Sequence, residues 1–132
     1  MNIEWKYKIE VNNTIVFTEI EKERQISFPK DLKDLIIEAN AATPSKYNFM
    51  ANNSERALGA ILSFNRNEAD TDSVFTAFNP ISDTNLIPFG IDPFGNYICY
   101  SLNNKSIIFW DHETDGIITV SDSLSSFLDS LY

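Results

Sequence analysis

The sequence is poor in the residues that build most chemical sites. It contains one cysteine (Cys99), one histidine (His112) and four glycines. A single cysteine excludes an internal disulfide, and one cysteine with one histidine cannot complete the usual four-ligand zinc set. The glycines are scattered along the chain, which excludes a glycine-rich phosphate-binding loop. We therefore expect neither a metal ion nor a cofactor.

Long apolar runs are also missing. No stretch approaches the ~20 apolar residues of a membrane-spanning helix, and the N-terminus lacks a basic leader followed by an apolar run. With only one cysteine, these features predict a cytoplasmic protein that does not enter a membrane. The chain has 132 residues, of which 43% are hydrophobic and 13% aromatic. This size and composition predict one globular domain over residues 1–132, with a monomer favoured.

Positive charge is nearly absent from the second half of the chain. Residues 67–132 hold one cation, Lys105, against ten acids, whereas residues 1–66 hold nine of each sign. The second half therefore carries the whole net charge of −9. Such a half repels phosphate backbones, which disfavours nucleic-acid binding, and it attracts a basic partner. The competing interpretation is that the acidic surface only keeps the protein soluble.

Hydrophobic periodicity predicts an α+β domain around a mainly antiparallel sheet, with two N-terminal helices, a middle helix and a C-terminal helix. Residues Ile3 to Val16 predict a loose strand or hairpin that turns at Asn12–Asn13. Asn40 is predicted to end the second helix in a left-handed conformation. Helices are predicted over Thr18–Gln25, Lys30–Asn40, Glu68–Asn79 (opened by Asp70 or Thr71) and from Ser121 or Asp122 onward. Strands are predicted over Tyr47–Met50, Leu58–Phe64, Tyr97–Leu102, Ser106–Trp110 and Ile117–Val120, with a turn at Asn103–Asn104.

The run from Asp111 to Asp115 is the strongest candidate for chemistry in the chain. Its sequence, Asp-His-Glu-Thr-Asp, suggests a metal site, but neighbouring side chains of a strand point to opposite faces. A nucleophilic pair of Cys99 and His112, or a glycosidase-like pair of carboxylates, is also conceivable. No oxyanion site and no distinctive carboxylate spacing supports either enzyme. A structural or interface role is therefore favoured for this run.

Aromatic residues and glycines of the second half suggest core and turn positions. Phe109 and Trp110, like Phe94 and Tyr97, are typical of a core more than of a ligand platform, because no basic residues lie nearby for base stacking. Cys99 between Ile98 and Tyr100 predicts a buried position. Gly90 and Gly95 are predicted to lie in turns, where glycine adopts positive φ at little cost.

Five segments of the chain form a recognisable series: Phe28–Leu35 with Asn40, Ile87–Asp92, Gly95–Tyr100, Ile107–Glu113 and Ser123–Leu128. In this order they resemble the SMI1/KNR4 family of the SUKH superfamily. The resemblance covers residues 18–132, and residues 1–17 add nothing to it. Ala41 departs from the pattern, because the family usually has glycine there, and Leu124 replaces a phenylalanine.

The resemblance implies a non-enzymatic α+β fold and, for bacterial members, an immunity protein. Such a protein binds a cognate toxin, often a nuclease, in the producing cell. An acidic inhibitor suits a nuclease that presents lysines and arginines to phosphates. We expect the toxin contact to draw on Asp83, Asp92, Asp111, Glu113 and Asp115, although Asp92 or His112 would be structural if they bond turn amides. The alternatives are a regulatory scaffold of the same fold without a toxin, and a small hydrolase.

Overall fold

The computed structural model describes residues 3–66 and 72–132. These residues form four helices and nine strands, numbered in chain order. The helices are α1 (Ile15–Arg24), α2 (Lys30–Ala39), α3 (Val74–Ala77) and α4 (Leu124–Ser130). The strands are β1 (Trp5–Lys6), β2 (Thr43–Pro44), β3 (Asn48–Ala51), β4 (Ser54–Ala57), β5 (Ala60–Ile61), β6 (Leu86–Ile91), β7 (Tyr97–Ser101), β8 (Ile107–Trp110) and β9 (Ile117–Ser121).

The main sheet has five strands in the order β5-β6-β7-β8-β9, and every neighbouring pair is antiparallel. Two smaller antiparallel pairs, β1 with β2 and β3 with β4, flank it. Consecutive antiparallel strands need only short turns, which is why β6 to β9 follow one another as a meander. The predicted α+β architecture is confirmed.

The two faces of the main sheet have separate cores. The inner face packs against the helices, as shown by Phe89 on β6, whose ring centroid lies 6.3 Å from that of Phe127 on α4. The outer face carries a smaller cluster in which Ile81 covers Cys99, Ile108 and Trp110. Strand residues alternate between these two faces, and because both faces are covered, β7 and β8 are buried along nearly their whole length.

Helix α1 begins at Ile15, three residues before the predicted start at Thr18. Asn13 initiates it, because its side-chain oxygen accepts a hydrogen bond from the Ile15 amide at 3.0 Å. The first turn buries Val16 and Phe17 on the core face. Of the predicted N-terminal strand or hairpin, the hairpin is therefore wrong, because its second arm is helical. The strand is present as β1, which pairs with β2 at Thr43–Pro44.

Helix α2 follows the prediction closely, but its end does not. Asn40 has a φ of −51°, and the left-handed residue is Ala41, with a φ of +61°. The Asn40 side chain is fully buried and serves the tertiary structure, accepting from the Phe64 amide at 2.8 Å and donating to the Ile9 carbonyl at 3.0 Å. Ala41 therefore makes the left-handed turn that ends the helix, and the Asn40 side chain makes the tertiary hydrogen bonds.

The middle of the chain departs most from the prediction. The predicted strand Leu58–Phe64 shortens to β5, and β4 was not predicted. Residues 68–71 of the predicted middle helix lie outside the described residues. The described part is the single turn α3, capped by the Ser73 hydroxyl, which accepts from the Phe75 amide at 3.0 Å. Similarly, Ser123 caps α4 in place of Ser121 or Asp122.

Gly90 lies inside β6 at a β-bulge, so the predicted turn at this position is wrong. A Cβ on Gly90 would lie 2.5 Å from Cδ1 of Leu58. The close packing of Leu58 therefore explains why this position holds glycine. Gly95 does lie in the turn between β6 and β7, with a φ of +86°, as predicted. The left-handed residue of the next turn is Lys105, with a φ of +63°, next to the predicted Asn103–Asn104 pair.

Candidate protein-binding surface

The turn between β6 and β7 is built around the Asp92 carboxylate. Its Oδ1 accepts hydrogen bonds from the amides of Phe94 at 2.9 Å and Asn96 at 2.8 Å, and its Oδ2 accepts from Asn96 Nδ2 at 2.9 Å. Asp92 is only 5% exposed. Because three internal donors surround it, the carboxylate acts as a structural acceptor and does not face an external partner. Of the two roles considered for Asp92, the structural one fits this geometry.

Asn96 joins this turn to the turn between β8 and β9. Its Oδ1 accepts from the His112 amide at 3.0 Å and lies 2.6 Å from His112 Nδ1, where the Nδ1-protonated ring also donates. Asn96 is buried, whereas the His112 side chain is 43% exposed. The chain Asp92–Asn96–His112 therefore clasps two turns at one end of the sheet. We call these three residues the turn clasp.

The second turn carries three of the predicted contact residues, Asp111, Glu113 and Asp115. Asp111 Oδ1 accepts from the Glu113 amide at 2.8 Å, and the Asp115 amide bonds the Asp111 carbonyl at 2.9 Å. Asp115 adopts a φ of +58°, a conformation that aspartate tolerates better than most residues. Glu113 remains exposed, with an Oε1 4.0 Å from His112 Nε2.

The Asp115 carboxylate ties this turn to the outer face of the sheet. It accepts a 2.5 Å hydrogen bond from Trp110 Nε1, and its second oxygen accepts a short hydrogen bond from the Ser82 hydroxyl. The Ser82 bond, followed by the Trp110 bond, lowers the pKa of Asp115 below its ordinary value. The segment from Ile81 to Asn85 is thereby fixed across the outer core. Asp83, in that segment, is exposed and caps its own turn by accepting from the Asn85 amide at 2.9 Å.

The candidate nucleophile Cys99 lies on the middle strand of the sheet, fully buried under Ile81. Burial, and after it the charge of Asp83, raises the pKa of the Cys99 thiol well above its ordinary value. A protonated thiol covered by apolar side chains is a poor nucleophile. Among the described residues, no three His, Cys, Asp or Glu side chains come close enough to hold a metal ion.

The two turns also expose apolar side chains that would serve as anchors. Phe94, at the tip of the Asp92 turn, is 75% exposed, and Ile117 at the start of β9 is 53% exposed. The prediction that Phe94 lies in the core is therefore wrong. Its position between Pro93 and Gly95, at the apex of a tight turn, was the signal for exposure. Phe109 and Trp110 are buried as predicted, and Tyr97 stacks on Trp110 with ring centroids 5.6 Å apart.

Asp111, Glu113 and Asp115 share one turn, and the hydrogen bond from Ser82 to Asp115 brings the neighbouring Asp83 toward it. We call these four acids, with the exposed Phe94 and Ile117 of the two turn regions, the acidic turn surface. Asp92 lies beside it but is buried. Ser82 and Asn96, which hold the surface in place, were not predicted because each acts through a partner distant in sequence. None of the described helices is long and apolar enough to cross a membrane.

The fold is that of a small α+β protein. Its Asp-His-Glu run has a structural role, because His112 bonds Asn96 and so joins two turns at one end of the main sheet. The chain belongs to the SMI1 / KNR4 family (SUKH-1), whose family model matches residues 14–130. This family is known for immunity proteins and is not a known enzyme family. No curated protein matches the chain. The residues of the turn clasp are among those that carry the family resemblance, and their role here is to hold the scaffold together.

Proposed function

We propose that this chain is an immunity protein that binds and neutralises a cognate toxin, a nuclease, in the cytoplasm of the producing cell. In this proposal the acidic turn surface is the docking face. Family membership supports the immunity role, and the one observation that carries the docking face is the presence of exposed acids and exposed apolar side chains at one end of the sheet.

The charges of this surface suit a basic partner. Asp83, Asp111 and Glu113 each keep at least one carboxylate oxygen that no described protein donor occupies. A nuclease that grips phosphates gathers lysines and arginines around its active site, so opposite charge accelerates encounter and correct orientation. The same surface repels nucleic acid, so the inhibitor does not itself bind the nucleic acid that the toxin cleaves.

The apolar side chains supply what charges alone do not. Exposed ion pairs contribute little affinity, whereas a few buried aromatic or aliphatic anchors dominate most interfaces. Phe94 and Ile117 are the two large apolar side chains that the turn regions expose. The turn clasp fixes the backbone beneath Phe94, so little conformational entropy is lost when a partner covers the ring.

A regulatory scaffold of the same fold is the second candidate function, and it would use the same face for a partner other than a toxin. Protection of cells from the toxin distinguishes the immunity protein from the regulatory scaffold. We would express the toxin gene adjacent to this gene, with and without this protein, and measure survival and the binding of the purified components. Equal killing in both cases, with no association, contradicts immunity for that pair.

The docking face is tested with matched variants. Asp83→Asn, Asp111→Asn and Glu113→Gln together remove three charges, and the new amides keep the turn acceptors of Asp83 and Asp111. The control, Glu4→Gln, Glu10→Gln and Asp122→Asn, removes three exposed charges elsewhere. We expect the first set alone to slow association at least tenfold at low salt, with a weaker salt dependence. Equal rates for both sets contradict this docking face while leaving immunity intact.

A further inference from the structure

A groove lies on the helical side of the molecule, away from the acidic turn surface. It runs between α2 and α4, and the N-terminal residues Ile3 and Trp5 form its third wall. Its volume is about 460 Å³, within the range of roughly 300–1,000 Å³ typical of ligand pockets. Six of the described residues that line it belong to the segments Phe28–Leu35 and Ser123–Leu128, which carry the family resemblance. The docking face proposed above does not use it.

The floor of this groove is apolar. Leu35 from α2 and Leu124 and Leu128 from α4 form it, each at most 7% exposed and therefore firmly packed into the core. Trp5 is only partly buried and flanks the floor with its indole ring. A bulky apolar side chain entering here would meet a preformed surface, so little reorganisation of the protein would oppose binding.

The rim of the groove is acidic. Asp31, Asp34 and Glu38 lie along α2 with spacings of three and four residues, which places them on one stripe. Among the described residues that line the groove, no lysine or arginine is present. This stripe is a local feature, because residues 1–66 have no excess charge as a whole.

The rim acids differ in how tightly they are held. Asp31 is fixed, because its Oδ1 accepts from the Tyr100 hydroxyl at 3.2 Å and from the Leu32 amide at 2.9 Å. Asp34 pairs with Lys30 at 2.9 Å, but both side chains are largely exposed (60% and 87%). Such a pair contributes little and exchanges easily for another cation. Glu38 is exposed at the far end of the stripe.

We propose that this groove binds a short segment of a partner protein in which a bulky apolar side chain is flanked by lysine or arginine. The apolar side chain fills the floor, and the cations meet the stripe of Asp31, Asp34 and Glu38. A cation beside Trp5 gains a further contact with the face of the indole ring. Charge complementarity selects this occupant over acidic peptides and nucleic acids, both of which the rim repels.

The test uses a phage-displayed library of random heptapeptides as the probe, selected on the immobilised full-length protein. We expect enrichment of peptides with Lys or Arg beside Leu, Phe or Trp. Synthetic versions should shift the amide NMR signals of Leu35 and Leu128 and the indole signal of Trp5. Enrichment of acidic peptides, or no enrichment of basic apolar ones, overturns the proposal.

Three variants locate the binding. Asp34→Lys with Glu38→Lys reverses the rim, and we expect it to weaken binding at least tenfold. Ser125→Trp on α4 fills the groove without changing its charge and should have a similar effect. The matched control, Glu10→Lys with Asp122→Lys, makes the same charge change elsewhere and should bind as the wild type does.

Thermal unfolding of each variant confirms that it is folded. Loss of binding in the control alone, or in the triple variant of the acidic turn surface alone, places the peptide elsewhere and overturns the proposal. Neither outcome bears on whether a toxin binds the acidic turn surface, so the two proposals fail separately.

Discussion

Asn96 and His112, sixteen residues apart in sequence, are joined at the end of the sheet by the Asn96 side-chain oxygen. That oxygen accepts the His112 amide proton at 3.0 Å, while the Asn96 amide nitrogen donates to the Asp92 carboxylate at 2.9 Å. One buried side chain therefore serves a donor in one turn and an acceptor in the other. The geometry assigns the lone histidine to the support of this end of the sheet.

Replacing Asn96 by alanine should destabilise the protein by about 2–3 kcal/mol, because it removes the partners of one oxygen of the buried Asp92 carboxylate and of the His112 amide. Urea denaturation followed by circular dichroism measures the change in the free energy of unfolding. Asn103→Ala is the control, because Asn103 is an exposed residue of the β7–β8 turn. A difference between the two variants below ~0.5 kcal/mol, the usual range of surface substitutions, would contradict the clasp.

Replacing Ala41 by glycine should stabilise the protein by about 0.5–1 kcal/mol. Ala41 has a φ of +61°, where a Cβ costs roughly 1–2 kcal/mol, and the added flexibility of the unfolded chain offsets part of that gain. This position is where the family usually has glycine. Thermal and urea unfolding measure the effect. Ala39→Gly, at the last residue of α2, should instead destabilise, because it removes a fully buried methyl group. Destabilisation by both substitutions would show that residue 41 is not strained.

Much of the fold was predictable because its signals are local. The stripe of Leu32, Leu35 and Ile36 predicts α2 within one residue. The short apolar runs around Cys99 and Phe109, separated by a turn pair, predict β7 and β8. Errors arose where a tertiary contact decides the conformation. The Asn40 side chain accepts a hydrogen bond from the Phe64 amide, and the left-handed conformation is adopted by the next residue, Ala41.

The candidate surface was predictable to the same degree. Asp111, Glu113 and Asp115 share a turn because they are adjacent in sequence, so their grouping needed no structure. The burial of Asp92 depends on Asn96 and the second turn, and the approach of Asp83 depends on Ser82 reaching Asp115. The groove between α2 and α4 joins residues about ninety positions apart, and no sequence spacing indicates such a site.

Tyr100 makes the stability of the protein sensitive to alkaline pH. Burial, and after it the neighbouring charge and hydrogen bond of Asp31, raises the pKa of Tyr100 from 10.0 to about 12. The folded state therefore holds this proton more tightly than the unfolded state does. Stability is fully present below pH ~10 and is lost as the pH rises through about 12, because only the unfolded state ionises in that interval.

Tyr100→Phe should accordingly reduce the proton release on unfolding between these pH values, by up to about one proton. The slope of unfolding free energy against pH, from urea denaturation at several alkaline pH values, measures this release. Tyr7→Phe is the control, since Tyr7 is 82% exposed and should leave the slope unchanged. An unchanged slope in Tyr100→Phe would contradict the assigned pKa.

Asp115 should make the fluorescence of Trp110 a reporter of acid pH. Hydrogen bonds from Ser82 and then Trp110 lower the pKa of Asp115 below 3.8. The stability that Asp115 contributes is present above the unfolded-state pKa and is lost as the pH falls through the lower folded-state value. Protonation weakens both hydrogen bonds, so we expect the emission of Trp110 to change with a midpoint below 3.8 in a Trp5→Phe background, where Trp110 is the remaining tryptophan.

Three variants in that background decide the cause of the transition. Asp115→Asn keeps an acceptor for Trp110 and tolerates the positive φ, but it cannot titrate, so the transition should disappear. Ser82→Ala removes the larger cause of the lowered pKa and should move the midpoint upward. Asp83→Asn, one residue from Ser82 and not bonded to the indole, should leave the midpoint unchanged. A transition that survives in Asp115→Asn would assign the effect to another carboxyl group.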